Sequence, residues 1–226
     1  FQKIATGHNK NDNAELVLMN LLRGSGLKGL SGIPPLRQGL YIRPLIRMSK
    51  EEILDFLACE NQAFRTDASN ADMDFLRNAI RQRLIPQLEQ EYNPSIVNTL
   101  NRLSSIVSQD EDFLEIETEN YFNLCLIQME ESFVSLSIKA LIRLHPAMQY
   151  RVLRKAIKKV KKDLRRISLV HLESIFAFCF EKGSKSSLGG SLDLPDRIRI
   201  YKKGGEMVVR KEERALREIG KRKITN

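Results

Sequence analysis

The sequence predicts an α/β region that is followed by a mainly α-helical region with a small β-hairpin. Residues 4–32 have the order of a strand end, a polar loop, a helix and a glycine-rich turn. Apolar residues then recur at helical spacing over much of the chain. Near its end, two apolar runs flank Lys203-Gly204-Gly205, which is typical of a hairpin. Because ligands of open α/β sheets gather beyond the carboxyl ends of the strands, residues 4–32 also predict a site.

The α/β region begins with residues 1–6, which we expect to form a buried strand. In the loop that follows, Asp12 or Asn13 can cap a helix over residues 14–22. Apolar positions cover most of that helix, as in a helix packed against a sheet. Residues 23–26 end the helix, because their glycines permit positive φ.

A short strand and a second helix complete this region. Residues 40–42 form the strand, which stops before a proline. Ser49 followed by Glu52 is a capping box, and it predicts a helix that reaches Cys59. The inner face of this helix consists of three apolar residues, Ile53, Phe56 and Leu57.

Two helices are predicted in the middle of the chain. After a turn at residues 67–70, a helix runs from about residue 73 to Pro86. Asn93-Pro94 begins the next helix, whose apolar spacing extends to Cys125. Both predictions follow from helical spacing of apolar residues between turn signals.

The last part of the chain combines strands and helices. Alternating apolar residues predict a strand over residues 132–138. Pro146 begins a helix, and a further helix covers residues 167–181 and ends at Lys182-Gly183. The hairpin lies within residues 189–210, and a charged helical tail follows from residue 211.

The helix that begins at Pro146 has two contrasting faces. One face is apolar, with Leu153, Ala156, Ile157 and Val160. The opposite face is basic, with Arg151, Arg154, Lys155, Lys158, Lys159 and Lys162. Such a face suits sequence-independent contacts with nucleic-acid phosphates, and a solvated basic surface explains it equally well.

Charge is distributed unevenly along the chain, whose net charge is +9. Residues 103–138 contain no Lys or Arg, and eight acids lie between Asp110 and Glu131. From Lys139 onward there are 24 Lys and Arg against nine Asp and Glu. This asymmetry predicts a polyanionic partner for the C-terminal part.

The remaining composition restricts the class of protein. Three widely spaced cysteines favour buried thiols in a reducing compartment over a disulfide framework or a zinc site. No apolar run approaches the roughly 20 residues of a membrane span. With no signal peptide, we expect a cytoplasmic protein. Because the chain opens on Phe1 inside a predicted strand, we expect a fragment that lacks upstream sequence.

Four stretches resemble the bacterial tRNA(Ile)-lysidine synthetases. They are GHNKNDNAE with LLRGSGLKGLSGIPP, IRPLIRMSKEEI, TDASNADMDFLRNAIRQRLIPQL with NPSIVNTLNRL, and SLDLPDRIRIYKKGG. They span nearly the whole chain, and RGSGLKGLSGIPP is the most specific. The resemblance implies that residues 1–62 are the C-terminal part of a Rossmann-like PP-loop ATP pyrophosphatase domain. It implies a helical connector with a long helix over residues 63–130, and a substrate-binding α+β domain over residues 131–226.

The resemblance also implies an activity. Enzymes of this family use ATP to adenylate the C2 carbonyl oxygen of the wobble cytidine in an isoleucine tRNA. The ε-amine of free L-lysine then displaces AMP and gives lysidine. ATP and Mg²⁺ are the implied cofactors, and both the phosphate loop Ser-Gly-Gly-x-Asp-Ser and the Mg²⁺ ligand are expected upstream. We therefore assign no metal ligand in this chain and expect that it does not turn over ATP alone.

The implied catalytic residues are His8, Asp12 and Glu15. A carboxylate can hold the lysine amine, and a carboxylate or His8 can accept its proton. The family's usual His-His, Asp-Asp and Thr are here His8-Asn9, Asn11-Asp12 and Leu16, which affects polar contacts of the loop. From spacing alone, a helix cap, a first-turn acid and a structural histidine explain the same three residues.

Five further residues are implied to bind substrate or ATP. Arg23, Gly24 and Gly26 can bring a guanidinium and backbone N–H groups to a phosphate or a base, although a plain helix terminus explains them too. Arg77 and Arg81 share a helix face and can neutralise charge on the α-phosphate or the tRNA backbone. Their alternative is a solvated face paired with nearby acids, namely Asp72, Asp74 or Glu89.

Two other functions are compatible with parts of the sequence. A PP-loop tRNA-modifying enzyme of the thiolase type requires paired or catalytic cysteines, which are scattered here. A non-catalytic helical RNA-binding module explains the basic C-terminal part but not RGSGLKGLSGIPP. The sequence leaves the oligomeric state open, with a homodimer as one option.

Overall fold

The computed structural model describes residues 2–65, 76–180 and 190–213. The chain divides into two compact units, residues 1–113 and residues 114–226. Within the described residues, no helix has both the length and the apolar character that a membrane span needs. The predicted turn at residues 67–70, Lys182-Gly183 and the tail from residue 214 lie outside the described residues.

The first unit contains three very short strands and several helices. In chain order they are β1 (Ile4–Ala5), α1 (Lys10–Leu22), α2 (Leu27–Leu30), β2 (Leu36–Arg37), β3 (Tyr41–Ile42), α3 (Lys50–Cys59), α4 (Leu76–Ala79), a π-helical turn (Ile80–Leu84), α5 (Ile85–Glu91) and the first part of α6 (Ile96–Cys125). The strand order is β1-β3-β2, with β1 parallel and β2 antiparallel to β3. The predicted α/β character of this region is therefore confirmed.

A small apolar core holds the helices of this unit together. Its buried residues come from α1, the helix through residues 76–91, and α6, and they are Ala14, Val17, Leu18, Ile80, Ile85 and Leu100. Apolar spacing predicted the burial of Leu100 on α6. The prediction that α1 is packed on most sides was wrong at its end, since Leu21 and Leu22 are 55% and 60% exposed. The prediction that the first strand is buried was wrong, since Ile4 is 47% exposed and Ala5 is exposed as well.

Helix α1 begins four residues earlier than predicted. Asn9 is its N-cap, and its side chain accepts hydrogen bonds from the backbone N–H groups of Asn11 and Asp12. The Asp12 carboxylate accepts from the N–H of Asn9 in return, which completes a capping box. The prediction that Asp12 or Asn13 caps the helix was wrong, because Asn9 caps as well as an Asp does.

Helix α3 has the predicted capping box at Ser49 and Glu52 and ends at Cys59. Its predicted inner face was wrong at Phe56, which is 59% exposed. Leu54 is half-buried instead, together with Ile53 and Leu57. Cys59 is also exposed, so the expectation of three buried thiols was wrong at this position.

The helix through residues 76–91 continues past Pro86 by means of the π-helical turn. Pro86 has no N–H, and its ring conflicts with the carbonyl four residues earlier. The widened turn relieves this conflict, and the N–H of Ile85 donates to the carbonyl of Ile80, five residues back. Helix α6 then reaches Cys125, as predicted.

The second unit is an α+β structure. After α6, its elements are β4 (Leu126–Met129), β5 (Phe133–Ser137), α7 (Ile138–Ile142), α8 (Pro146–Lys161), α9 (Leu169–Phe180), β6 (Ser191–Leu194), a 3₁₀ turn (Pro195–Arg197), β7 (Ile198–Lys203) and β8 (Glu206–Lys211). The strands form one antiparallel sheet in the order β4-β5-β8-β7-β6. The expected small hairpin is thus part of a five-stranded sheet.

Long-range pairing explains why the sheet was underestimated. The hairpin of β7 and β8 was predicted and is confirmed, with Gly204 and Gly205 at φ values of 57° and 85°. Strand β5 was predicted as well, but it pairs with β8, so that Val134 lies opposite Val209. Alternation within one stretch does not reveal a partner so distant in sequence.

Helices α8 and α9 pack with this sheet in one apolar core. The predicted apolar face of α8 is confirmed, since Leu153, Ala156 and Ile157 are fully buried. Two of the three cysteines, Cys125 and Cys179, lie in the same core. Burial raises the pKa of the Cys179 thiol to about 12.

Candidate functional site

The loop after β1 holds His8 in place. The Thr6 hydroxyl and the His8 Nδ1 are 3.0 Å apart, and the Thr6 N–H donates to the carbonyl of Ile42 on β3. His8 is half-buried at this end of the strand. The sheet edge therefore fixes one ring nitrogen of a histidine just before α1 begins.

The asparagines that replace the family's usual residues organise the same loop. Asn9 caps α1, and the Asn11 side-chain carbonyl accepts from the backbone N–H of Lys50, at the start of α3. The N–H of Lys10 donates to the carbonyl of Met48. The loop thus joins the start of α1 to the start of α3.

Asp12 and Glu15 bind two arginines of the helix through residues 76–91. Glu15 is buried, and its carboxylate accepts from Arg77 Nε at 2.8 Å and from Arg81 Nε at 2.5 Å. Asp12 Oδ1 accepts from Arg77 Nη2 at 2.6 Å and from Arg81 Nη2 at 3.1 Å. A second bond from Arg81 Nη2 reaches Glu15 at 3.0 Å. The two acids and two arginines therefore form one ion-pair cluster.

Helical spacing on both sides makes this cluster. Asp12 and Glu15 are three residues apart on α1, while Arg77 and Arg81 are four apart on the facing helix. The prediction that the two acids share a side, and that the two arginines share a face, is confirmed. The hydrogen bond to Glu15, more than any other cause, raises the pKa of Arg81, which remains a cation.

A pocket of about 370 Å³ opens beside this cluster. Its lining combines residues of the loop, α1, the segment after α2 and the β2–β3 hairpin. They are His8, Asp12, Leu16, Met19, Gly32, Ile33, Pro34, Arg37, Arg43 and Arg77. The volume is that of a small-molecule site, and apolar walls with a few charged groups are typical of one.

The structure brings some of the predicted site residues to this pocket and not others. His8, Asp12 and Arg77 line it, whereas Glu15 and Arg81 lie outside its lining and contact Asp12 and Arg77 through the cluster. Three more predicted residues, Arg23, Gly24 and Gly26, are exposed and do not line the pocket.

Asn13 is a buried residue of the site that the sequence reasoning missed. Its side-chain N–H₂ donates to Asn101 and to Ser104 of α6, and its carbonyl accepts from the N–H of Ile33. Gly32 adopts φ 72°, and a Cβ there would lie 2.2 Å from the Asn13 carbonyl oxygen. Asn13 thus fixes the pocket segment around Gly32, and the only signal in the sequence was a polar residue on an otherwise apolar helix face.

No metal site accompanies the pocket in the described part of the chain. No group of three or more His, Cys, Asp or Glu residues there could hold an ion. The described residues therefore do not fit the oxygen-rich ligand set that Mg²⁺ needs.

The basic face of α8 is partly engaged within its own unit. Lys155 forms ion pairs with Glu119 and, at 3.7 Å, with Glu115 of α6, and its side chain is only 12% exposed. The Lys155 ammonium lowers the pKa of Glu119. The expectation of an open basic face was therefore wrong at Lys155, because the acidic stretch of α6 supplies partners.

Four other positions of that face are exposed. They are Arg154, Lys158, Lys159 and the helix C-cap Lys162, while Arg151 is half-buried. Buried Lys161 forms ion pairs with Asp163 and, at 2.9 Å, with Asp196. The exposed cations therefore form a narrower patch than the sequence predicted.

Comparison with known proteins matches both units. Residues 1–88 match the PP-loop domain model, and residues 136–203 match the TilS substrate binding domain model. The tRNA(Ile)-lysidine synthase of Clostridioides difficile is 35% identical over 217 residues, which are 96% of this chain and 46% of that protein. The synthase of Caldanaerobacter subterraneus is 36% identical, with 93% and 44% covered, and that of Geobacter sulfurreducens is 34% identical, with 90% and 42% covered. The chain spans less than half the length of these relatives. Both domain matches and near-complete coverage of the chain agree: it belongs to the tRNA(Ile)-lysidine synthase family.

Proposed function

We propose that the protein containing this chain uses ATP to join free L-lysine to C2 of the wobble cytidine of an isoleucine tRNA. The cytidine carbonyl oxygen attacks the α-phosphorus of ATP, and pyrophosphate leaves. The lysine ε-amine then attacks C2, loses a proton, and expels AMP. The observation that carries the proposal is the pocket where His8 and Asp12 meet at the end of β1, in a chain whose relatives are named as synthases of this kind.

Asp12 is the carboxylate that we assign to the lysine amine. It lines the pocket, whereas Glu15 is buried and lies outside the pocket lining. Asp12 Oδ2 accepts from the N–H of the N-cap Asn9 and Oδ1 accepts from two guanidinium groups, so the carboxylate is fixed in direction. A fixed acceptor lowers the entropic cost of orienting the amine for attack.

His8 is the base that we assign to the amine proton. The attacking nitrogen must be neutral, and a neutral imidazole has a ring nitrogen that can accept the amine proton. Thr6 holds Nδ1, which leaves Nε2 for the substrate side. Glu15 does not contact the substrate in this assignment. It is a positioning residue that orients Arg77 and Arg81 around Asp12.

This assignment predicts distinct effects of two variants in the full gene product that includes these residues. Asp12→Asn should raise the KM for lysine, with ATP-dependent adenylation retained, because the amine loses the negative charge of its acceptor. His8→Ala should lower kcat for lysine transfer by roughly 10²–10⁴-fold. Lysine incorporation into an isoleucine tRNA transcript and lysine-dependent AMP release measure both effects. Equal loss of adenylation in Asp12→Asn would contradict the assignment.

The exposed cations of α8 are the part of the second unit that we assign to tRNA phosphates. Reversing Arg154, Lys158 and Lys159 together to Glu should weaken tRNA binding by tenfold or more, and it should lower the salt slope by up to about three. A matched triple reversal at exposed Lys28, Arg47 and Lys50 controls for net charge. Filter binding at several salt concentrations measures both, and an unchanged slope would remove α8 from the interface.

The absence of Ser-Gly-Gly-x-Asp-Ser from the 226 residues supports one further proposal. We expect these residues alone not to release AMP from ATP, since the phosphates would lack their backbone cradle. Lysine-dependent AMP release by the 226-residue chain would contradict this expectation. The proposal does not involve the described residues in binding pyrophosphate or Mg²⁺.

A further inference from the structure

Arg37 and Arg43 lie on one face of the β2–β3 hairpin. Arg37 is the register partner of Tyr41, and the N–H of Arg43 donates to the carbonyl of Pro35. Alternate residues of a strand share a face, so Tyr41 and Arg43 point the same way as Arg37. A diagonal pair of this kind has Cα atoms about 7–8 Å apart, within reach of two long side chains. Both arginines line the pocket.

These two arginines have no carboxylate partner among the described residues. The ion pairs of the pocket region join Arg77 and Arg81 to Asp12 and Glu15, which already neutralises those acids. Two neighbouring cations with no anion repel each other, and a bound anion would remove that cost. The hairpin thus presents positive charge that the described part of the chain leaves without a paired acid.

The Arg43 guanidinium is also incompletely hydrogen-bonded. Its Nη1 donates to the carbonyl of Pro34 at 2.6 Å, which fixes the side chain along the pocket wall. Its Nε is buried without a partner, the only such side-chain nitrogen or oxygen within the described residues. An unmade bond of this kind is costly and marks a place where a ligand completes the site. An anion bound side-on through Nε and Nη2 would satisfy it after a small turn of the guanidinium.

Another part of the pocket wall is apolar. Leu16 and Met19 come from α1, and Ile33 and Pro34 come from the segment that Asn13 fixes. A flat ring system suits such a wall, and a pocket of about 370 Å³ has room for a base with its sugar. The combination of apolar wall and arginine pair therefore fits a ring compound that carries an anionic group.

We propose that Arg37 and Arg43 bind the phosphoryl group of a nucleoside monophosphate unit whose base lies on the wall of Leu16, Met19, Ile33 and Pro34. The inference rests on the proposed function, in which two such units meet at this pocket. They are the departing adenylate and the cytidine nucleotide of the tRNA. Both share a base and a phosphoryl group, and the experiment separates them.

The test titrates 5′-AMP, 5′-CMP, adenosine, cytidine and inorganic phosphate into the 226-residue chain by calorimetry. We expect one of the two nucleotides to bind more tightly than its nucleoside and than phosphate, and that nucleotide identifies the source. Arg43→Gln and Arg37→Gln should each weaken its binding by about tenfold or more, as expected for a lost charge-assisted hydrogen bond. Nucleoside affinity should stay the same in both variants.

Arg47→Gln is the matched control, because Arg47 is exposed, lies four residues from Arg43 and does not line the pocket. Arg37 is exposed, so its variant tests the proposal even where Arg43→Gln perturbs folding. Unchanged nucleotide affinity in Arg37→Gln, binding of neither nucleotide, or phosphate binding equal to nucleotide binding would each overturn the proposal. The proposed function is tested separately by the variants of His8 and Asp12. If those variants retain lysine transfer while nucleotide binding is intact, the proposed function fails and the nucleotide site does not.

Discussion

Each of the two units of the chain is stabilised internally by a different kind of contact. In the second unit, eighteen buried residues of the described part form one apolar core between the sheet and α8 and α9. In the first unit, the apolar core has six buried residues, and a polar network of Asn13, Glu15 and their partners supports it. In the first unit, the polar network that supports the fold therefore also includes residues of the candidate site.

This difference has a physical origin. Apolar burial is non-directional, so it stabilises a unit without fixing any one polar group. Hydrogen bonds and ion pairs are directional, and a buried polar network fixes the orientation of its members when every member is satisfied. The first unit, which contains the candidate site, is the unit that uses such polar contacts.

The largest expected effect is a cavity in the apolar core of the second unit. Ile157→Ala should lower the free energy of unfolding by about 2–5 kcal/mol, because Ile157 is fully buried. Urea denaturation followed by circular dichroism measures the change. Ile116→Ala on α6 is the control, since that side chain is 55% exposed and its loss should cost less than about 0.5 kcal/mol.

The ion-pair cluster of the first unit should respond next. Glu15→Gln removes a charge that faces two guanidinium groups, and we expect about 1–3 kcal/mol of destabilisation. Partial exposure of both arginines keeps the cost below that of a fully buried pair. Glu51→Gln, in the exposed first turn of α3, should leave the denaturation midpoint unchanged. A similar loss of stability in both variants would show that the ion-pair cluster contributes no more than an exposed acid.

Alanine substitutions at two glycines distinguish the cost of a positive φ from the cost of a steric clash with Asn13. Gly32→Ala requires positive φ and places Cβ 2.2 Å from Asn13, so it should cost about 1–3 kcal/mol. Gly24→Ala requires a similar φ, with no atom within 4 Å of its Cβ, and it should cost about 1 kcal/mol. Thermal unfolding of both variants measures the difference. Equal costs would mean that the Asn13 contact does not constrain the segment.

The smallest effect concerns pH. The Lys155 ammonium lowers the pKa of Glu119 in the folded chain, so the ion pair stabilises the fold above the ordinary value of 4.5 and is lost as the pH falls below it. Lys155→Met should therefore raise the pKa of Glu119, as a carboxyl NMR titration can measure. Lys158→Met, at an exposed position of the same helix, should change that pKa less.

Local signals in the sequence were sufficient for much of the fold. The capping box at Ser49, the hairpin turn at Gly204-Gly205 and the apolar face of α8 depend on residues close in sequence, and all three are confirmed. The N-cap of α1 was misplaced because Asn9 and Asp12 are both good capping residues and three positions separate them. Periodicity locates a helix better than it locates the first residue.

The candidate site could be predicted only in part. Spacing placed Asp12 with Glu15 and Arg77 with Arg81, but it could not show that the two pairs bind each other across more than 60 residues of chain. The contact of Asn13 with Gly32, and the pairing of β5 with β8, are long-range in the same sense. Such contacts follow from packing of whole elements, and no local pattern encodes them.

The π-helical turn at Ile80–Leu84 sets the angular phase of one half of its helix against the other. Each residue of an α-helix advances the side-chain direction by about 100°. Removal of one residue from this turn would rotate everything on one side of it by about that angle. A shortened chain could therefore lose the alignment that points its arginine side chains at the acids of α1.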